Sequence, residues 1–270
     1  MLKTIRETMI GKATIRLVET GAGYTGLVFV GGVVKSRIEG SDADDVWRRL
    51  HDEAARSNPG FFGFDGARRR FLRIFHDGFS SPAYFREERD YKLAAKEKLD
   101  ARVPIETALD GKGLGEAAFA VFQATNLLSP FEKVRMQEVL RGPHADRFIR
   151  GAARFTVGDT RRGLSAMEQA LKPHEVAKWT AVTYLPFLWR PDAHMFLKPM
   201  VTKDFAGRVG HGFANDYSPR LDEAVYLGLL DLVGTTEREI ADLDPRDRID
   251  IQSFIWVVGD YDVEAETGVT

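Results

Sequence analysis

Cysteine is absent from all 270 residues. That absence removes thiol nucleophiles, thiolate zinc sites, iron–sulfur ligation and disulfide staples. A chain of this length buries most of its unfolded surface without cross-links. No apolar run approaches the ~18 residues that mark a membrane span; the longest blocks, Gly26–Val34 and Phe254–Gly259, are core-sized. The opening MLKTIRETMIGK has no apolar h-region, so no signal peptide is visible. A cytoplasmic location with no membrane partner is expected.

Several catalytic signatures are also missing. There is no E-x-K triplet of the restriction-nuclease type, no G-x-S-x-G elbow and no S-x-x-K. His174-Glu175-Val176-Ala177-Lys178 stops one residue short of the zinc motif HExxH, with a lysine where the second imidazole belongs. The pairs His51-Asp52 and His76-Asp77 suit a helical phosphohydrolase poorly, because Gly78 interrupts the second. Gly21-Ala22-Gly23-Tyr24-Thr25-Gly26 has the letters of a dinucleotide fingerprint, yet strand-like Leu-Val-Phe-Val follows it where a helix is required. It reads as a glycine hairpin. Gly111-Lys112-Gly113-Leu114-Gly115 lacks P-loop spacing and reads as a helix-entry loop. No catalytic residue, metal or cofactor is assigned.

What is present is ordinary globular composition, 44% hydrophobic and 29% charged, enough for one large or two modest domains. The net charge of −2 conceals a gradient. Residues 221–270 carry thirteen acidic groups against three arginines, whereas residues 66–102 carry ten Lys/Arg against six Asp/Glu. One face suits polyanions, and acidic C-terminal helices could dock a protein partner or oppose non-specific binding.

The fold class expected is α+β: a small N-terminal antiparallel sheet with one covering helix, then a mostly helical body. Thr4–Thr8 and Ala13–Glu19 alternate at period two, and Leu27–Val30 and Val33–Ile38 flank Gly31-Gly32. Ser41 or Asp42 caps a helix over Asp44–Arg56, which aligns Val46, Leu50 and Ala54. Asn58-Pro59-Gly60 then separates a unit of residues 1–60 from a helical domain of 61–270, with a sub-boundary near 103–113. Within that domain the patterns predict helices over Phe85–Arg102, Glu116–Asn126, Pro130–Arg141 after the cap Ser129, Ala145–Phe155 and Leu164–Leu171. Further helices are expected over Glu175–Val182, Lys203–Ala214, Pro219–Val233 and from Asp244-Pro245 onward, with irregular aromatic-rich chain from 183 to Pro199 and a frayed tail.

Two stretches carry the functional candidates. In the first, arginines interleave with aromatics from Phe61 to Phe75. Arg68, Arg69, Arg70 and Arg73, extended by Lys92 and Lys96, would contact phosphates, with nearby phenylalanines stacking on bases. On a helix Arg69 and Arg73 share one edge, and Phe71, Leu72 and Phe75 point inward. The second stretch, 172–217, gathers two tryptophans, three histidines and four prolines. Its candidate ligand pocket comprises His174, Trp179, Trp189, His194, Lys198 and His211, with Tyr184, Phe187 and Phe196 as further aromatic walls. The leading reading is a non-enzymatic nucleic-acid-binding or regulatory protein, its partner DNA or RNA. The alternatives are an enzyme or small-ligand binder at 174–211, or a helical adaptor in a larger assembly.

Overall fold

The computed structural model describes residues 3–10, 13–56 and 60–260, and the layout is α+β. The Asn58-Pro59 break and the tail beyond Asp260 lie outside the described residues. Four strands, β1 (Lys3–Ile10), β2 (Ala13–Thr20), β3 (Gly23–Val30) and β4 (Val33–Gly40), form an antiparallel meander in that order. Thr20 pairs with Gly23 and Val30 with Val33, which leaves two-residue turns at Gly21-Ala22 and Gly31-Gly32. Gly31 and Gly32 have φ of +59° and +79°, the type I′ pattern whose twist matches its strands and which strains any residue with a Cβ. The six-letter glycine pattern is therefore a hairpin that runs on as strand.

Alternation along β2 buries Ala13, Ile15 and Leu17, joined by Val28 of β3. Helix α1 (Ala43–Arg56) covers that face with Val46, Leu50 and Ala54. Gly26 makes room for this packing, since a Cβ there would stand 2.5 Å from the Leu50 side chain. Asp42 starts α1, its Oδ1 accepting from the Asp45 amide at 2.7 Å.

The helical body follows. After α2 (Gly63–Ile74) comes one continuous run made of α3 (Pro82–Tyr84), a π-helical turn at Phe85–Arg89 and α4 (Asp90–Arg102). The π turn, a rare element, carries Glu88 and Arg89 into the interior. Then come α5 (Ile105–Asp110), α6 (Gly115–Phe122), α7 (Pro130–Arg141), α8 (Ala145–Thr156), α9 (Thr160–Leu171) and α10 (Trp179–Trp189). The chain ends with α11 (Pro199–Val209), α12 (Phe213–Asp216), α13 (Glu223–Glu239) and α14 (Arg248–Asp260). Ser129 and Glu132 form a capping box at the start of α7.

Several helices depart from expectation, among them α13, which starts at Glu223 rather than Pro219, and α6, which stops at Phe122. The chain over 183–189 is helical rather than irregular, with Pro186 inside α10. Proline there removes the hydrogen bond to the Val182 carbonyl, but every residue of α10 is buried, and packing on all sides outweighs propensity. Thr183 also braces it, donating to the Trp179 carbonyl at 2.6 Å and accepting from the Leu197 amide at 3.0 Å. The expected Lys203–Ala214 helix is broken at Gly210, whose φ is +82°. The last helix begins at Arg248 rather than Asp244. Asp244 is left-handed at φ +55° after the 3₁₀ turn Ala241–Leu243, and Asp247 takes over as cap, 2.9 Å from the Ile249 amide.

Packing divides the chain into two units, one of Met1–Arg70, Met200–Tyr217 and Val258–Thr270, the other of Phe71–Pro199 and Ser218–Val257. In the first, α11 joins the N-terminal segments although it lies far along the chain. The Phe62 amide donates to the Arg208 carbonyl at 3.0 Å, and the Phe64 and Phe205 rings meet edge-on at 6.2 Å. Among the described residues no helix is long and apolar enough to cross a membrane.

Candidate ligand cleft

The basic segment does not line up as one stripe. Phe71 on α2 and Phe75 just after it are buried. Arg68 lies 3.5 Å from Asp65, and the Arg70 guanidinium stands over the Phe62 ring at 5.3 Å. Arg69 and Arg73 are exposed, and among the described residues neither has an ion-pair partner. Lys96 is tied to Asp100 at 2.6 Å.

Lys92 is a correction. Its side chain is fully buried, and its ammonium donates to Glu88 at 3.1 Å and to Ser253 at 2.8 Å. A lysine with no exposed surface cannot reach a phosphate. Burial pushes its pKa down to about 8, against the pull of Glu88. Beside it lies a second set of internal charges. Asp250, wholly buried, accepts from the Tyr84 hydroxyl, from Arg89 at 2.6 Å and from the Arg246 amide at 2.9 Å. Arg89 also forks onto Asp247 at 2.9 and 2.7 Å. Two of the C-terminal acids are thus spent inside the fold.

Most of the expected pocket is core. Trp179 and Trp189 are buried, their indole N–H groups donating to the carbonyls of Ser218 (3.0 Å) and Val103 (2.9 Å). Tyr184 and Phe187 are wholly buried. His194 has both ring nitrogens engaged, Nδ1 with the Tyr226 hydroxyl at 2.9 Å and Nε2 with the Thr156 carbonyl at 3.0 Å. Burial holds its pKa below the usual imidazole range, despite the Thr156 contact. A neutral, doubly satisfied imidazole is a structural group. His174 lies 3.6 Å from Glu138 and edge-on to His144, whereas His211 belongs to the other unit and accepts from the Phe213 amide at 3.2 Å. The structure does not gather the histidines, and no group of three metal-ligating side chains occurs among the described residues.

Two members of that set line clefts: Trp189 borders an open one with Pro104, Arg190 and Asp192, and Lys198 borders a narrower one. The other walls are Tyr91 of α4, Asn126 and Leu127 of the α6–α7 loop, Phe196, and Gln252 and Trp256 of α14. Gln252 and Trp256 share a helix face by their four-residue spacing. Lys198 stands over the Trp256 ring at 5.5 Å and gives one hydrogen to the Leu127 carbonyl at 3.0 Å, leaving two for another acceptor. The loop is held by Lys133 on the Thr125 carbonyl and by the Thr125 hydroxyl on Tyr184 at 2.8 Å. Glu132 lies close enough to act on the Lys198 charge. Burial would raise its pKa, but hydrogen bonds from Thr180 and Ser129, with Lys198, hold it below the usual carboxylate range.

One group in this cleft is out of balance. Gln252 is 4% exposed, and its carbonyl oxygen is buried without a hydrogen-bond partner. Buried amides are nearly always paired. The space within the cleft is about 40 Å³, against the ~10–15 Å³ that one water needs. It takes a group of amide or carboxylate size.

Sequence reasoning reached Lys198 and Phe196 but missed Gln252, Trp256, Tyr91 and Asn126. The available signal is Gln252 itself, an uncharged polar residue set between Ile249, Ile251, Phe254 and Ile255. Compared with protein-family models, curated proteins and solved structures, the chain shows no match.

Proposed function

We propose that the protein is a small-ligand binder that takes the end of a planar carboxamide into the cleft of Lys198, Gln252 and Trp256. The observation that carries this reading is the buried Gln252 carbonyl oxygen without a hydrogen-bond partner, on a residue that lines the same cleft as an ammonium and an indole. A carboxamide offers its carbonyl oxygen to Lys198 and its N–H to Gln252, while the rest of a flat molecule lies against Trp256. The groups present bind and orient; none is placed as a nucleophile.

Replacing Gln252 by leucine tests it with two signs at once. Removing a buried polar group that lacks a partner should raise the stability of the free protein by about 1 kcal/mol. The same change should abolish binding of benzamide, followed by thermal shift and by Trp256 fluorescence with Trp256→Phe as control. Benzoate, of the same shape, measures how far Lys198 alone supports binding. A destabilised Gln252→Leu variant, or one that binds benzamide as well as the parent, would overturn the reading.

A second reading keeps nucleic acid as the partner of α2. The exposed and unpaired Arg69 favours it. Changing Arg68, Arg69 and Arg70 to glutamate should then weaken oligonucleotide binding at least tenfold without unfolding the protein; retained affinity sinks it.

A further inference from the structure

We infer that the groove between α8 and α9 binds the phosphate backbone of a nucleic-acid strand. It shares no residue with the Gln252 cleft and none with α2. Arg147, Arg150 and Arg154 of α8 form its rim, with Gln169 of α9 across from them, and the open space amounts to about 490 Å³. The floor is small: Ala166 and Gly151, where any side chain would press on the facing helix, at 3.0 Å from the Gly163 carbonyl. The glycine lets α8 and α9 pack closely beneath the arginine rim.

The arginines are arranged against their own stability. Spacings of three and four residues put all three on one face, over roughly 10 Å at 1.5 Å per residue. Like charges at these spacings destabilise a helix by about 0.2–0.5 kcal/mol per pair. Carboxylates on the same face would relieve this, yet among the described residues none of the three arginines has an ion-pair or hydrogen-bond partner. Asp146, one turn before Arg150, is occupied by the Gly113 amide at 2.9 Å. The inner face of α8, by contrast, is largely apolar, with Phe148, Ile149, Ala152, Ala153 and Phe155 buried. Asp110 also lines the groove, so three positive charges face one negative. A row of guanidinium groups suits successive phosphates. No aromatic side chain lines the groove, so nothing there stacks on a base and recognition is sequence-independent.

Fluorescence anisotropy on the full chain with labelled oligothymidylate and with a mixed-sequence duplex tests this. Three contacts on a single strand give a log–log salt slope of about −2, or about 20-fold weaker binding between 50 and 200 mM salt. Arg147→Glu with Arg154→Glu should weaken binding at least tenfold, while Arg147→Lys with Arg154→Lys retains most of it. Should the glutamate pair fail to fold by circular dichroism, Arg147→Gln with Arg154→Gln reads the same loss. Unchanged affinity in these variants overturns the proposal, as does loss confined to the α2 triple variant, which would assign all binding to α2. Competition by inorganic tripolyphosphate as strong, charge for charge, as by the oligonucleotide would also overturn it in favour of a free oligophosphate site. No binding at 50 mM salt ends it.

Discussion

Asp250→Ala is expected to lower the stability of the helical unit by about 3–5 kcal/mol, the range for removing one partner from a buried ion pair. The size follows from what would be left behind. Asp250 is 0% exposed and holds the Tyr84 hydroxyl, the Arg89 guanidinium and the Arg246 amide and side chain together. Arg89 would retain Asp247, but one face of a guanidinium with 7% side-chain exposure would lose its counter-charge. Tyr84 sits among Phe71, Phe75 and Phe79, where its hydroxyl has no water to turn to.

Tyr84→Phe should cost much less, about 1–2 kcal/mol, because it removes a donor without stranding a charge. Asp250→Asn should fall between the two, since it keeps the shape and gives up the charge. Urea melts of the four proteins check the order. A loss below ~1 kcal/mol for Asp250→Ala would mean that the network is not what holds α14 against the π turn.

Gly163→Ala is the second large effect, an expected loss of about 2 kcal/mol from a substitution that would stabilise most helices. Alanine is about 1 kcal/mol better than glycine in a helix interior. At residue 163, however, the Cβ would stand 2.5 Å from the Phe155 nitrogen and 2.6 Å from the Gly151 carbonyl. Both are backbone atoms of the facing helix α8. No rotamer change relieves that, so the helices must part, and overpacking of this kind costs about 1–3 kcal/mol or slightly more.

Gly234→Ala on α13 provides the contrast. Its nearest neighbour is the flexible end of Arg238 at 3.5 Å, so the propensity gain should survive and stabilise by up to about 1 kcal/mol. Opposite signs in thermal melts would separate local propensity from helix contact; two changes of the same sign would refute the account of the α8–α9 contact.

The sheet, the hairpin at Gly21-Ala22, helix α1 and Ser129 as the cap of α7 were legible in the sequence because each depends on neighbours within a few residues. Period-two alternation, paired glycines and a cap before an N1 proline are local physics; equally local, the strand-like run after Gly26 ruled out the dinucleotide reading and Lys178 the zinc one. The part of α10 over 183–189 was not legible, because it survives Pro186 only through burial on every side. Nor was the start of α14, where Asp244-Pro245 has the right letters and Asp247 has the right geometry.

Charge was the least legible quantity. Glu88 and Lys92 form an i,i+4 pair that reads the same on a wet surface as in the interior. Ser253, which accepts from Lys92, is 161 residues away. The same holds for the cleft: Lys198 and Gln252 stand 54 positions apart in the chain, and nothing local to either records the other. The amino-acid sequence by itself determined the elements and excluded whole classes of chemistry. Only the tertiary structure decided which polar groups are inside, because burial depends on what packs against a residue rather than on what precedes it.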